Sequence, residues 1–428
     1  MAQLIDNKNI ERDGNVITIL KCNHSKCASD FLRHLKAALS KGYKDIVIKS
    51  IAEAIYPNAC LPIAGMIQYF ESQDINFTYE LNTHTYLMKC GFTNPVVKNR
   101  EELQTELNPF DKIFRYETSG QVADLTQAYI NAISRQSICE QGVIDGMIWC
   151  LNEVMDNVLL HSQSEYGLVM AQYHPVAKHV VFCVYDSGTG IYNTLRDTKH
   201  RPMTEIDALS LAVQEGVGDG KGQGNGLFGL YQIIKDNRGR LTITSGASSM
   251  MLQDDGILNK FEHIPFVSNR NKGTIIDFQL DLNKNIDIKK LFSTIGGFDG
   301  FDVRIDDMLD DNYCIRYDVF DNAQGTATRE SGKHLRNDVE NILKRRGAKI
   351  ILDFSRVQTV SSSFIDEFIA KMVLDIGFLN FNSLINLKNM NPSVSFLCQR
   401  SLYMRIHEEW KDKKEEYEEK IVSEYKSE

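Results

Sequence analysis

The feature that most constrains this fold is a short apolar run that ends in a polar, glycine-rich loop. Val180 to Tyr185 is apolar and β-branched, which is typical of a buried strand, and Asp186-Ser187-Gly188-Thr189-Gly190 follows directly. An aspartate at a strand end can accept a hydrogen bond from an exocyclic amine, and Gly188 and Gly190 let a flat ring approach the backbone. The pattern therefore predicts a ligand pocket at the end of a strand.

A second polar cluster lies earlier in the chain, on a predicted helix. Trp149, Val154 and Leu160 form an apolar face at helical spacing, while Glu153 and Asn157 lie one turn apart. A carboxylate and an amide stacked in this way can hold a water molecule and a divalent cation side by side. This helix is the candidate carrier of catalysis and of a metal ion.

A third cluster, residues 220–230, is rich in glycine and runs into a helical pattern from Tyr231 to Lys235. Glycines followed by the start of a helix expose free backbone N–H groups, which can bind a phosphate. The first candidate function of this segment is therefore to hold a phosphorylated ligand.

The order and spacing of the three clusters resemble the GHKL ATP-binding fold of gyrase-type topoisomerases, heat-shock chaperones, sensor histidine kinases and MutL. The resemblance covers residues 120–282. Lys272-Gly273-Thr274, which opens a predicted strand from Ile275 to Leu280, looks like the Gly-Thr pair that closes these pockets. The residues that match the family's three boxes are Asn157 in the first, Asp186, Gly188 and Gly190 in the second, and Gly222, Gly224 and Gly226 in the third.

The resemblance implies a set of roles in binding ATP and Mg²⁺. Asp186 accepts from the adenine amine, Asn157 ligates Mg²⁺ and Glu153 positions the attacking group. The remaining nucleotide contacts that it implies are Lys221, Gly222, Gly224, Gly226, Leu227 and Thr274. A carboxylate at position 153 can activate water, which gives an ATPase, or a protein hydroxyl, which gives a serine kinase of the anti-sigma-factor type.

The segments around this module alternate between strand and helix patterns. Residues 1–115 carry strands at Val16–Leu20, Asp45–Lys49 and Ile75–Glu80 with helices at Cys27–Ser40 and Asn58–Phe70, which predicts a small α/β layer. Thr85 to Phe92 looks like the last helix and glycine cap of a STAS domain. Residues 96–119 are charged and aperiodic, which is typical of a linker.

The C-terminal segment alternates in the same way. Its centre, Ile350 to Phe364, resembles STAS domains, which bind or antagonise regulatory kinases, and more closely a STAS-like family found beside GHKL proteins. Ser361-Ser362-Ser363-Phe364 stands where phosphoacceptor STAS domains have Asp-Ser-Ser-Gly, so helix capping is favoured over phosphorylation of Ser363. We thus predict an α/β (α+β) chain with a GHKL-type domain at residues 116–285, flanked by STAS-like domains at 1–115 and 286–428.

Two parts of the central segment carry further expectations. The insert from Ile191 to Gly220, here the lid segment, contains one clear amphipathic helix, Thr204 to Glu215, with Thr204 and Asp207 as a capping pair. The resemblance implies that this segment folds over the phosphates. Residues 246–271 are predicted to be a long loop that contacts a partner or is mobile.

Composition excludes several classes of protein. A net charge of −9 argues against a nucleic-acid-binding surface, and no apolar run reaches the roughly 20 residues that span a bilayer. The nine scattered cysteines suit a reducing cytoplasm better than a disulfide framework.

Two hypotheses of function follow. The first is an ATP-hydrolysing regulatory switch of bacterial signalling or stress and phage defence, in which lid closure on ATP is coupled to contacts with the flanking domains, a partner protein or a second copy. The alternative is a serine protein kinase of the anti-sigma type, or a module that binds a partner in a nucleotide-dependent way without hydrolysis.

Overall fold

The computed structural model describes residues 8–81, 86–220, 225–262, 273–292 and 303–425, with the main chain alone for 410–425. Helices and strands are both abundant, which confirms the predicted mixed α/β class. The chain divides into two compact units. The first contains Met1–Ala132 and Glu140–Phe298, and the second contains Ile133–Cys139 and Asp299–Glu428.

The N-terminal part of the first unit is a four-stranded sheet with helices between its strands. The sheet order is β1-β2-β3-β4, with β1 antiparallel to β2 and the other pairs parallel. Each strand and helix predicted within residues 16–80 is present, with its ends shifted by at most one residue. The elements are β1 (Ile10–Asp13), β2 (Val16–Ile19), α1 (Lys26–Leu39), β3 (Asp45–Ser50), α2 (Pro57–Glu71), β4 (Asn76–Leu81) and α3 (Tyr86–Lys89).

The rest of the first unit is built on an antiparallel sheet of seven described strands, in the order β10-β9-β8-β11-β7-β6-β5. Its elements are α4 (Arg100–Gln104), β5 (Ile113–Tyr116), α5 (Ser119–Gln136), α6 (Val143–His161), β6 (Gly167–His174), β7 (His179–Asp186), α7 (Ile191–Arg196), α8 (Glu205–Ala212), α9 (Gly226–Asp236), β8 (Arg240–Ser245), β9 (Ser248–Leu252), β10 (Leu258–Phe261), β11 (Thr274–Asp281) and α10 (Ile288–Phe292).

Both faces of this sheet are covered, and successive side chains of β7 point to opposite faces. Phe182 packs against Tyr129 of α5, with ring centroids 5.4 Å apart. Cys183 and Tyr185 belong instead to the apolar core of the N-terminal part. There α2 approaches so closely that a methyl group at Gly65 would lie 2.1 Å from the Tyr185 ring. Burial on both faces explains why the sequence of β7 is apolar at consecutive positions.

Two predicted loops contain regular structure. The supposed linker at residues 96–119 holds α4 and the edge strand β5, and β5 pairs with β6. The supposed loop at 246–271 holds β9 and β10, which extend the sheet as a hairpin, while residues 263–271 lie outside the described chain. Both predictions were wrong because the strands are short: β5 pairs with a distant strand, while β9 and β10 pair with their neighbours in the chain. Ser249 in β9 also has the polar appearance of a loop residue, but its hydroxyl bonds to that of Thr244 at 2.9 Å.

The lid segment differs from its prediction in two respects. It contains a second helix, α7, and α8 ends at Ala212 instead of Glu215. The predicted capping pair is present: the Thr204 hydroxyl accepts from the Asp207 amide at 3.2 Å, and the Asp207 carboxylate accepts from the Thr204 amide at 3.1 Å.

The second unit contains a parallel sheet in the order β12-β13-β14. The helical segment that follows Ser361 is divided by a π-helical turn, Asp366–Ala370, and the last helix continues to Tyr425. The elements are α11 (Val303–Asp307), β12 (Ile315–Asp318), α12 (Val319–Asn322), α13 (Arg329–Arg346), β13 (Ile350–Asp353), α14 (Ser362–Ile365), α15 (Lys371–Ile376), α16 (Phe378–Leu384), β14 (Ile385–Lys388) and α17 (Pro392–Tyr425).

Within the described residues, every helix is too short or too polar to cross a membrane.

Candidate functional site

A cavity of about 430 Å³ lies in the first unit between α6, the ends of β7 and β11, and the helices of the lid segment. Seven of the residues predicted from the sequence line it: Glu153, Asn157, Asp186, Gly190, Gly226, Leu227 and Thr274. Gly188 lies just behind the wall, while Lys221, Gly222 and Gly224 fall outside the described residues. The fold therefore brings together residues that are up to 121 positions apart, Glu153 and Thr274 being the most distant pair.

Asp186 is the most deeply buried carboxylate of the cavity, with 4% of its surface exposed. It accepts a hydrogen bond from the Gly188 amide at 2.7 Å and further bonds from the amide and hydroxyl of Thr274. Burial raises the pKa of Asp186 to about 7, although these donors act in the opposite direction. A buried carboxylate with a cavity in front of it is well suited to accept from a ligand donor.

Ser245 supports Asp186 and was not predicted as a site residue. Pairing of β11 with β7 and β8 places Thr274 between Asp186 and Ser245. The Ser245 hydroxyl lies 3.3 Å from that of Thr274 and accepts from the Ile191 amide at 2.9 Å. Ser245 thus ties the start of α7 to the sheet. The pairing of its strand with β11, which places Ser245 beside Thr274, could not be seen in the sequence.

Glu153 and Asn157 face the N-terminus of α9 across the cavity. A methyl group at Gly226 would lie 2.6 Å from Oε2 of Glu153 and 3.1 Å from Nδ2 of Asn157, so a larger residue here would displace these two side chains. The pKa of Glu153 is raised by burial and by the neighbouring Asp156, against a smaller lowering effect of His161. A carboxylate with a raised pKa is better able to take up a proton near neutral pH.

The first turn of α9 has backbone donors without a side-chain cap. Asn225 occupies the N-cap position but makes no side-chain bond to the helix; its Oδ1 accepts from the Gly216 amide at 3.0 Å instead. The first N–H groups of a helix lack intrahelical acceptors, and together with the helix dipole they favour an anion. This turn opens onto the cavity through Asn225, Gly226 and Leu227.

A histidine–aspartate pair joins α6 to the lid segment. Nδ1 of His161 lies 2.8 Å from Oδ2 of Asp219, and both residues line the cavity. The side chains are 25% and 9% exposed. The sequence places both residues near the predicted boxes, but their 58-residue separation concealed the contact.

The charge of the cavity is acidic. None of the described residues that line it is Lys or Arg, whereas Glu153, Asp186 and Asp219 are carboxylates. The described chain also contains no group of three or more His, Cys, Asp or Glu side chains arranged as a metal site. A divalent cation here would need ligand oxygens and water to complete its coordination, which is how Mg²⁺ is commonly held beside phosphates.

Apolar side chains form the remaining walls. Val184, Leu195, Ala212 and Ile276 are among the apolar residues that line the cavity. Trp149 also lines the cavity, beneath Gly229, where a methyl group would lie 2.2 Å from the indole ring. Apolar walls with one buried polar acceptor are typical of pockets for flat aromatic ligands.

In the second unit, the predicted cap is present in the serine cluster. The Ser361 hydroxyl accepts from the Phe364 amide at 3.0 Å, and the Ser363 hydroxyl lies 3.0 Å from that of Ser361. Ser361 therefore caps α14, as the sequence indicated.

Comparison with protein families adds one assignment. The model of a STAS-like domain of unknown function matches residues 331–395, from α13 to the start of α17. The second unit therefore contains a STAS-like domain. No curated protein matches the chain.

Proposed function

We propose that the first unit binds ATP together with Mg²⁺ in the cavity and hydrolyses it as part of a regulatory switch. One observation carries the proposal: a buried carboxylate, Asp186, shares a cavity with Glu153, Asn157 and the uncapped N-terminus of α9. The resemblance of the three sequence clusters to GHKL domains supports the same function.

The end of the cavity near Asp186 fits adenine. An ionised Asp186 accepts a hydrogen bond from the exocyclic amine, and the donors on Gly188 and Thr274 fix the orientation of the carboxylate. Val184 and Ile276 offer apolar surface to the ring. Recognition of the amine by a buried acceptor also disfavours guanine, which carries a carbonyl at the equivalent position.

The opposite end fits the phosphates. Asn157 supplies an amide oxygen for Mg²⁺, and the free amides of the first turn of α9 bind phosphate oxygens. Mg²⁺, when bound, neutralises phosphate charge that the acidic cavity would otherwise repel. Lys221 is the nearest basic residue that precedes the first turn of α9 in the sequence, and it is the candidate for a further phosphate contact.

Glu153 is the proposed general base. It takes a proton from a water molecule as the water oxygen bonds to the γ-phosphorus and the bond to the bridging oxygen of ADP breaks. The burial that raises the pKa of Glu153 strengthens it as a base. The products are ADP and inorganic phosphate.

The switch is proposed to act through the lid segment. His161 and Asp219 hold this segment against the end of α6, beside the position of the phosphates. A STAS-like domain in the same chain supports a regulatory role by analogy.

The same STAS-like domain is the observation that favours a second candidate, a serine kinase acting in cis. The bond from the Phe364 amide to Ser361 and the contact between Ser361 and Ser363 occupy these hydroxyls, which favours hydrolysis over transfer. We expect no label on Ser363 after incubation with γ-labelled ATP. Stoichiometric labelling that Ser363→Ala abolishes would make the kinase the better proposal.

The experiment that tests ATP binding compares two aspartates by calorimetry. Asp186→Asn should weaken the binding of Mg-ATP by roughly 5- to 150-fold, because an amide cannot accept from both adenine and the Thr274 donors, a loss of about 1–3 kcal/mol. Asp277→Asn is the matched control, since burial raises the pKa of Asp277 to about 7 as well, but Asp277 is only partly buried on β11 and pairs with Asn58 on the other face of the sheet. Equal affinities for all three proteins would remove Asp186 from the binding site.

A further inference from the structure

The segment Ile133–Cys139, here called the connector, comprises the last turn of α5 and the three residues that follow it, and it folds with the second unit. Four of its seven residues are buried: Ile133, Ser134, Ser137 and Cys139 are between 0% and 4% exposed. Residues 137–139 follow the end of α5 as a loop, and loops usually run over the protein surface. This burial therefore indicates that the second unit binds the connector specifically.

One side chain of α13 makes most of the polar contacts. Asn341 is 1% exposed. Its amide nitrogen donates to the carbonyls of Ser134 at 3.0 Å and Ser137 at 2.8 Å, and its oxygen accepts from the Cys139 amide at 2.8 Å. A single asparagine thus satisfies three backbone groups of the connector.

Two neighbouring residues on the same face of α13 extend the contact. Asn337 donates to the Arg135 carbonyl at 3.0 Å, and the Lys344 ammonium donates to the Cys139 carbonyl at 3.3 Å. Positions 337, 341 and 344 lie one turn apart on the helix. We call these three side chains the amide face of α13.

The chemistry of this face matches the end of a helix. The last four carbonyls of an α-helix lack intrahelical donors, and α5 ends at Gln136. Asn341 donates to the Ser134 carbonyl and Asn337 donates to the Arg135 carbonyl. Both carbonyls belong to that last turn. The amide face therefore binds the C-terminal carbonyls of a helix through hydrogen bonds. Apolar packing alone would not distinguish a helix C-terminus from other backbone.

The connector is also fixed at the residues that follow it. Within the first unit, the Glu140 amide donates to the Leu282 carbonyl at 2.8 Å, and the Ile286 amide donates to the Gln141 carbonyl at 2.9 Å. Gly142 then adopts a φ of +81°, with no room for a side chain against the Ile286 carbonyl. Because neighbouring residues are held on both sides of the bond between Cys139 and Glu140, displacement of the connector must strain the start of α6.

We propose that the amide face of α13 is a docking surface whose occupant is the connector of the same chain, and that the STAS-like domain regulates the nucleotide site through it. The second half of this statement rests on the proposed ATP-binding function, because α6 carries Glu153 and Asn157. Nucleotide binding and docking of the connector are then thermodynamically linked, and each changes the equilibrium of the other by the same factor.

Cys139 reports docking directly, in the full-length protein and without nucleotide. Asn341→Leu removes three hydrogen bonds to buried backbone groups of the connector, so the rate of alkylation of Cys139, mapped by mass spectrometry, should rise at least about tenfold. Val339→Ala is the matched control: it removes two methyl groups from a buried side chain of the same helix, and it should leave the rate within about twofold.

Cys398, buried in α17, verifies that the second unit stays folded. If Asn341→Leu also raises the alkylation rate of Cys398, the milder variant Asn337→Ala takes its place as the test. In that variant the alkylation rate should rise about threefold at Cys139 and stay unchanged at Cys398. An unchanged rate at Cys139 in a folded variant, or an equal rise in Val339→Ala, overturns the docking surface.

Adding Mg-ATP tests the regulation of the nucleotide site independently of the docking of the connector. In the wild type, saturating Mg-ATP should slow the alkylation of Cys139, and Asn341→Leu should weaken Mg-ATP binding by the same factor. Nucleotide that binds by calorimetry without affecting Cys139 contradicts the regulation. If calorimetry detects no nucleotide binding, the proposed function fails, and the alkylation rates without nucleotide still decide whether the docking surface exists.

Discussion

The two faces of the seven-stranded sheet each bury an aspartate, and the two aspartates differ in what they face. Asp186 and Asp277 lie on adjacent strands, and burial raises the pKa of each to about 7. Asp277 is covered by α2 and accepts from the Asn58 amide at 3.2 Å. Asp186 faces a cavity and accepts from Gly188 and Thr274. A raised pKa alone therefore does not mark a site; an open space with further polar groups around it does.

The strongest test of this contrast is the rate of ATP hydrolysis. The rate should depend on side chains that line the cavity and not on those of the opposite face of the sheet. Glu153→Gln removes the proposed base but keeps the shape of the side chain, so ATP should still bind while hydrolysis slows by about 10²–10⁴-fold. The measurement is ADP release at saturating Mg-ATP. Asp277→Asn is the control and should change the rate by less than about twofold. A Glu153→Gln rate equal to wild type would indicate another base, with Asp156 the next candidate.

Stability should depend on side-chain packing at the face of the sheet that α2 covers. Gly65→Ala places a methyl group against the Tyr185 ring, so we expect the free energy of unfolding to fall by about 1–3 kcal/mol in urea titrations. In an unobstructed helix the same change is stabilising by about 0.5–1 kcal/mol. Gly120→Ala in α5 is the matched control, since the nearest atom to its methyl group would be 3.8 Å away. If both variants gain stability, α2 does not pack against β7 as described.

The covered aspartate should make stability depend on pH. The pKa of Asp277 is about 7 in the folded protein and close to 3.9 when unfolded, so its contribution to stability is present at low pH and is lost as pH rises to about 7. Between pH 5.5 and 8, wild type should lose on the order of 1–2 kcal/mol more than Asp277→Asn. Unfolding in urea at both pH values measures this difference. Parallel curves would mean that Asp277 titrates normally and is solvated.

Local patterns in the sequence predicted much of this arrangement. The apolar run before Asp186, the spacing of Glu153 and Asn157 and the glycine at 226 each depend on a few neighbouring residues. Those patterns were sufficient to select side chains that the fold places around one cavity.

Several contacts that sequence reasoning missed join distant segments. Asn58 and Asp277 are 219 residues apart, and Asn341 meets Ser134 across 207. Ser245 serves the site only because β8 pairs with β11. Local periodicity carries no information about which strands pair or which helix covers a face, and these choices are made by packing in three dimensions.

The central claim is that Asp186, in its ionised form, binds adenine in the cavity. The most direct test is the affinity for Mg-ATP between pH 6 and 8 in the wild type, Asp186→Asn and Asp277→Asn. Because protonation of Asp186 removes the acceptor, wild-type affinity should fall by up to about tenfold per pH unit below 7 and level off above it. Asp277→Asn should keep this dependence, and Asp186→Asn should lose it along with most of the affinity. A pH dependence that survives in Asp186→Asn, or that disappears in Asp277→Asn, would contradict the account.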